Sequence, residues 1–146
     1  MQQNIQDSSD NVLMLRAQKL RTQGVEPYAS HFPCTHSLIE LYEAHDDVQE
    51  DELRDIEPAF VWGRVMAIDE RGSDLMLVIE GQDTRLHLAG VPRHTSLASL
   101  QLLRSSVYRG DSLGFEVNAI CRQNGALTGL IDTCSFLAPA NLPIPR

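Results

Sequence analysis

Two groups of residues in this 146-residue chain carry side chains able to do chemistry. Cys34, Thr35 and His36, with His31 just upstream, offer a thiol, a hydroxyl and two imidazoles in close sequence. A structural zinc takes four ligands, and this cluster supplies three with no fourth nearby, so a metal site is not expected. Asp69, Glu70, Asp74 and Glu80 form a carboxylate-rich group of the kind used in general acid–base catalysis. They fall at turn signals and strand edges, where short acidic side chains satisfy local backbone groups. No Ser/His/Asp ordering and no phosphate-cradling glycine loop is present. Cys34, Cys121 and Cys134 are odd in number and lack a CxxC spacing, so neither a disulfide framework nor a zinc site is indicated. Cys121 and Cys134 fall in apolar runs, where a thiol acts as a small hydrophobe. The expectation is a chain without catalytic residues, metal or cofactor.

The elements that must position any binding surface come in two kinds. Residues 1–10 are polar and are expected to form a disordered leader. Asp10 or Asn11 caps a predicted helix with Leu13, Ala17 and Leu20 on one face, ended by Gly24 and Pro27. A second short helix is predicted over Ser37–Ala44, and the acidic run Asp46–Glu57 reads as a solvated linker or helix end. After Pro58 the spacing becomes strand-like: Phe60–Ile68, a turn at Asp69–Gly72, Leu75–Glu80, a turn at Gly81–Asp83, then Thr84–Ala89. Leucines 97, 100, 102 and 103 suit a helix over Ser96–Ser105. Leu113–Cys121 alternates, Asn124-Gly125 is a hairpin signal, and Ala126–Leu137 returns as a last strand.

This order predicts a mainly β domain: a five-stranded OB-fold (oligonucleotide-binding) barrel with a helix between strands 3 and 4, preceded by N-terminal helices. The expected organisation is a leader over 1–10, a helical segment and acidic linker over 11–58, the barrel over 59–138 and a tail with three prolines over 139–146. If Leu75, Leu77, Ile79, Leu86 and Leu88 point inward, alternation turns Met76, Val78, Glu80, Arg85 and His87 outward.

Apolar content of 42% and charged content of 22% suit a globular domain. No apolar run reaches the ~20 residues of a membrane span, and the polar start is not a signal peptide, so a cytoplasmic protein without a membrane partner is expected. Residues 1–58 carry four basic and twelve acidic side chains, a net of −8, while residues 59–146 carry eight of each. The barrel region is therefore neutral, and its pull on phosphates is modest.

Several motifs fall in a familiar order. Leu15-Arg16-Ala17-Gln18-Lys19-Leu20 is followed by Gln23-Gly24-Val25-Glu26-Pro27-Tyr28, then by Phe32, Thr35, His36 and Ser37. Gly63-Arg64-Val65-Met66-Ala67-Ile68, Gly110-Asp111, Asn124-Gly125-Ala126-Leu127 and Leu142-Pro143-Ile144-Pro145 come later. In order and spacing these resemble the anticodon-binding domain of class II lysyl-tRNA synthetases, over about residues 11–146. The ATP-binding and adenylate-forming motifs of that family have no counterpart, so the resemblance implies either a free-standing, non-catalytic relative or a piece of a larger enzyme.

In that family a stacked aromatic, a glutamine, an arginine and a glutamate on the barrel face read the anticodon. The resemblance places these readers at Met76, His87, Asp69 and Ala126, and all four residues have changed. Met76 lacks a rigid π face, and His87 can still stack and hydrogen-bond. Asp69 reverses a charge, and Ala126 has no hydrogen-bonding group. The expected nucleic-acid-binding residues are Arg64, Met76, Glu80, Arg85 and His87, and the expected partner is tRNA or single-stranded RNA. The alternatives are a degenerate barrel that docks a protein, such as a synthetase or a second copy of itself, and one subunit of a split synthetase.

Overall fold

The computed structural model describes residues 32–82 and 84–140. The helix predicted after Asp10, the segment through His31 and the tail beyond Ala140 lie outside the described residues. Helix α1 spans Leu38–Ala44 and strand β1 spans Leu53–Arg71. Strands β2 (Asp74–Glu80) and β3 (Arg85–Gly90), helix α2 (Leu97–Ser105), and strands β4 (Ser112–Gln123) and β5 (Ala126–Ala138) complete the order.

The strands close in the order β1-β2-β3-β5-β4. Every pair is antiparallel except β3–β5, where His87, Leu88 and Ala89 run parallel to Thr128, Gly129 and Leu130. The long first strand pairs with β4 through its first part and with β2 through its second. Closure with a helix between the third and fourth strands is the OB-fold.

Alternation fills the barrel. Leu75, Leu77, Ile79, Leu86 and Leu88 are buried inside, as are Leu113, Phe115, Val117 and Ala119. Each full burial of such a side chain is worth about 1.5–3 kcal/mol. The helices pack at different places: a Cβ on Gly81, at the β2–β3 turn, would lie 3.1 Å from Leu38 of α1, and one on Gly90 would lie 3.3 Å from Leu100 of α2. Ser37 caps α1 in a full capping box with Glu40, and the Ser96 side chain caps α2. No helix among the described residues is long and apolar enough to cross a membrane.

Two boundaries differ from the sequence reading. The acidic run is not a linker to its end: Leu53–Glu57 are the opening residues of β1, with Leu53 opposite Cys121 and Asp55 opposite Ala119. Pro58 falls where the β1–β4 register shifts between Asp55 and Ala59, an irregularity that accommodates a residue with no N–H to donate. The first hairpin turn also comes later than expected. Asp69–Arg71 still pair with β2, and the turn is Gly72-Ser73, with Gly72 at φ +62°.

Candidate functional site

The outer face of β1, β2 and β3 is built in cross-strand rows. In the first, Arg64 stands opposite Glu80, and Glu80 opposite Arg85. In the second, Ala67, Val78, His87 and Thr128 follow one another across four strands. In the third, Asp69, Met76, Ala89 and Leu130 do the same. Ala126 lies two residues before Thr128 in β5, at the end of the face where Arg85 stands two residues before His87 in β3. The fold thus brings Arg64, Asp69, Met76, Glu80, Arg85, His87 and Ala126 onto one outward surface.

The charges on this face are largely matched locally. Arg85 Nε donates to Glu80 Oε2 at 2.9 Å, and Arg71 Nε donates to Asp69 Oδ2 at 3.0 Å. Asp69 is therefore balanced by its own strand rather than presented as a bare negative charge. Arg64 is exposed and has no ion-pair or hydrogen-bond partner among the described residues. His87 is exposed and Met76 half-buried.

Beyond Arg64 the same face continues to Trp62, a residue that the family comparison of readers passed over. The indole is 45% exposed. It borders an open cleft of about 510 Å³ whose other walls include Thr35, His36 and Ile39 on one side and Gln82 and Thr84 of the β2–β3 turn on the other. The signal was available in the sequence: Val61 and Val65 face the core, so Trp62 and Arg64 must face out.

The cleft wall is held by local hydrogen bonds. Thr35 Oγ1 accepts from the Phe60 amide at 2.9 Å and lies 2.7 Å from His36 Nδ1. The Ser37 amide donates to Glu40 at 2.8 Å, a bond that lowers the Glu40 carboxyl below its usual range. Desolvation raises the Cys34 thiol, which also lines the cleft. Phe60, another aromatic of β1, is met edge-on by Phe32 with ring centroids 6.0 Å apart.

Two further networks fix the barrel's loops. Arg122 of β4 donates to the carbonyls of Val48 at 2.7 Å, Asp46 at 2.8 Å and Gly125 at 3.0 Å, and the Gly125 amide donates to Glu50. The Asn124-Gly125 turn, with φ of 51° and 81°, is thus clamped to the segment ahead of β1. Buried Asp111 accepts from the Tyr108 amide at 2.7 Å and the Ala140 amide at 2.8 Å, which gives the Gly110-Asp111 motif a structural role. Among the described residues, no three His, Cys, Asp or Glu side chains converge as a metal site.

No family model matches the chain. Its homologues among curated proteins are lysine–tRNA ligases, at low identity but across nearly all of its length. The ligase of Thermotoga maritima is 26% identical over 129 residues, covering 88% of this chain and 26% of the relative. The chloroplastic/mitochondrial ligase of Arabidopsis thaliana is 26% identical over 137 residues, 92% of this chain and 23% of the relative. That of Enterococcus faecalis is 23% identical over 147 residues, 99% of this chain and 29% of the relative. The chain spans about a quarter of the length of these relatives.

Proposed function

We propose that this chain, an OB-fold whose homologues are lysine–tRNA ligases, is a non-catalytic domain that binds tRNA or single-stranded RNA on the outer face of β1, β2 and β3. The observation that carries the reading is the convergence of Arg64, Met76, Glu80, Arg85 and His87 on that face. The exposed His87 imidazole and the half-buried Met76 thioether can lie against unpaired bases, a contact worth about 1–3 kcal/mol per base where a ring is used. Arg64, with no partner of its own among the described residues, supplies a cation for a phosphate. Ala126 adds no base-edge hydrogen bond, so discrimination between bases is weaker than a full set of readers would give. No step of catalysis is assigned to these residues.

The test is a fluorescence-anisotropy titration of lysine tRNA, its isolated anticodon stem-loop and a control tRNA at two salt concentrations. Salt-sensitive binding that favours lysine tRNA and weakens with His87→Ala supports the reading. Absence of binding to all three overturns it.

The second reading is a protein-docking surface. It is favoured by the Glu80–Arg85 pair, which consumes one of the face's cations, and by the half-buried Met76 and Val78 beside it. Co-elution with a lysine–tRNA ligase, lost on Val78→Glu, is its expected signature.

A further inference from the structure

We propose that the cleft beside Trp62 is a stacking site for one unpaired nucleobase of single-stranded RNA, so that the aromatic platform of this barrel lies at Trp62 rather than at Met76. The inference rests on the RNA-binding reading above and assigns its anchor. Base stacking needs a flat, exposed π surface. On the face built by β1, β2 and β3, Met76 offers none, and Phe60 is taken up by Phe32. Trp62 keeps 45% of its surface exposed although it is a large apolar side chain.

The surroundings fit a base more closely than an apolar peptide side chain. The cleft of about 510 Å³ has room for one nucleobase with its ribose, and its rim mixes apolar Ile39 with Gln82, Thr84 and His36, which can meet a base edge. Thr35 Oγ1 accepts from the Phe60 amide, so its own hydroxyl proton is available to His36 Nδ1. With Nδ1 engaged by Thr35, His36 Nε2 is the ring nitrogen left to meet a base edge, as donor or acceptor. Glu40, also on the rim, has its carboxylate engaged by the Ser37 amide in the helix cap. Arg64 stands two residues along the strand on the same side, about 7 Å from Trp62, where a cation with no partner among the described residues complements the phosphate of an adjoining nucleotide.

The sequence contains a single tryptophan, so the indole emission of the full chain, excited selectively over that of its three tyrosines, reports on this cleft. The experiment titrates the protein with a labelled single-stranded RNA of about ten nucleotides. A duplex of the same sequence and a free nucleoside monophosphate serve as the other arms. Indole emission and RNA anisotropy are followed together. The expected result is quenching of Trp62 by the single strand, with a midpoint equal to that of the anisotropy change and much weaker quenching by the duplex and the mononucleotide. Trp62→Ala is expected to weaken single-strand binding about tenfold and Trp62→Phe only about twofold, circular dichroism confirming both folds.

RNA binding that leaves the indole emission unchanged, with Trp62→Ala binding as tightly as the parent, overturns the cleft assignment while the RNA-binding reading stands. Equal quenching by the duplex overturns the unpaired-base assignment. Quenching by the mononucleotide as tight as by the single strand makes the cleft a free-nucleotide site and overturns the placement of an RNA strand there. Loss of anisotropy change with every RNA overturns the RNA-binding reading itself.

Discussion

Arg85 and Glu80 face each other across the β2–β3 ladder, and the guanidinium donates to the carboxylate at 2.9 Å. Both side chains are substantially exposed, at 62% and 37%, so the pair adds little to stability. It matters instead because it removes a cation from the surface proposed to meet RNA. Glu80→Gln is expected to leave the urea midpoint nearly unchanged and to tighten RNA binding a few-fold at low salt. The salt dependence should steepen by about one phosphate contact, read as the slope of log affinity against log salt.

The Arg122 clamp is expected to be a stability determinant. Its side chain is only 18% exposed, and its guanidinium donates to three carbonyls from two segments of the chain. Arg122→Ala leaves these acceptors short of a charged donor and should lower unfolding free energy by about 2–4 kcal/mol. Chemical denaturation followed by circular dichroism measures it, and a loss below about 0.5 kcal/mol would show that water replaces the clamp freely.

Asp111 offers a sharper test of whether charge or shape is needed. Asp111→Ala deserts two amide donors in a buried position, and Asp111→Asn keeps the shape but turns an NH₂ group toward one of them. Both variants are expected to lose about 2–4 kcal/mol in urea melts. Full stability of the asparagine variant would mean that one hydrogen bond suffices.

The cysteines should separate by reactivity. Burial pushes the Cys134 thiol up to about 12, against an ordinary value of 9.0, while Cys34 is exposed and its thiol is raised by desolvation. With a thiol reagent near pH 8, Cys34 is expected to react fast, Cys121 more slowly, and Cys134 only as the chain unfolds. The linked stability change follows in sign. Well below pH 9 Cys134 is protonated in both states and contributes no pH dependence. As pH rises past that value the unfolded chain releases the proton while the folded chain keeps it until about 12, so stability falls with alkalinity. Cys134→Ser is expected to reduce that alkaline slope in melts between about pH 8 and 10.5.

Much of the barrel was legible in the sequence because its core obeys a period of two. Leu75, Leu77 and Ile79, and then Leu113, Phe115 and Val117, announce both the strand and its inner side, and the structure buries all six. The helix between β3 and β4 was legible from its leucines at 97, 100, 102 and 103, whereas the capping of the two helices by Ser37 and Ser96 is seen only in the structure. The opening of β1 was hidden by composition. In Leu53-Arg54-Asp55-Ile56-Glu57 charges and a following proline mask the alternation, and pairing with β4 supplies the stabilisation that local propensity lacks. The pairing of Glu80 with Arg85 and of Asp69 with Arg71 also went unseen, because strand parity gives the side of a residue but not the reach of its side chain. Trp62 was readable by parity from Val61 and Val65. Its cleft was not, since the opposite wall comes from a segment more than twenty residues earlier that folds back against the Phe60 amide.

The anchored Asn124-Gly125 hairpin has a thermodynamic consequence. A loop already tied at Glu50 and Arg122 has little configurational freedom left to lose when a strand of RNA settles beside it. Association should then resemble the docking of rigid partners. Calorimetry across temperature should return a small heat-capacity change, set by the bases that leave water and without the large excess that accompanies coupled folding.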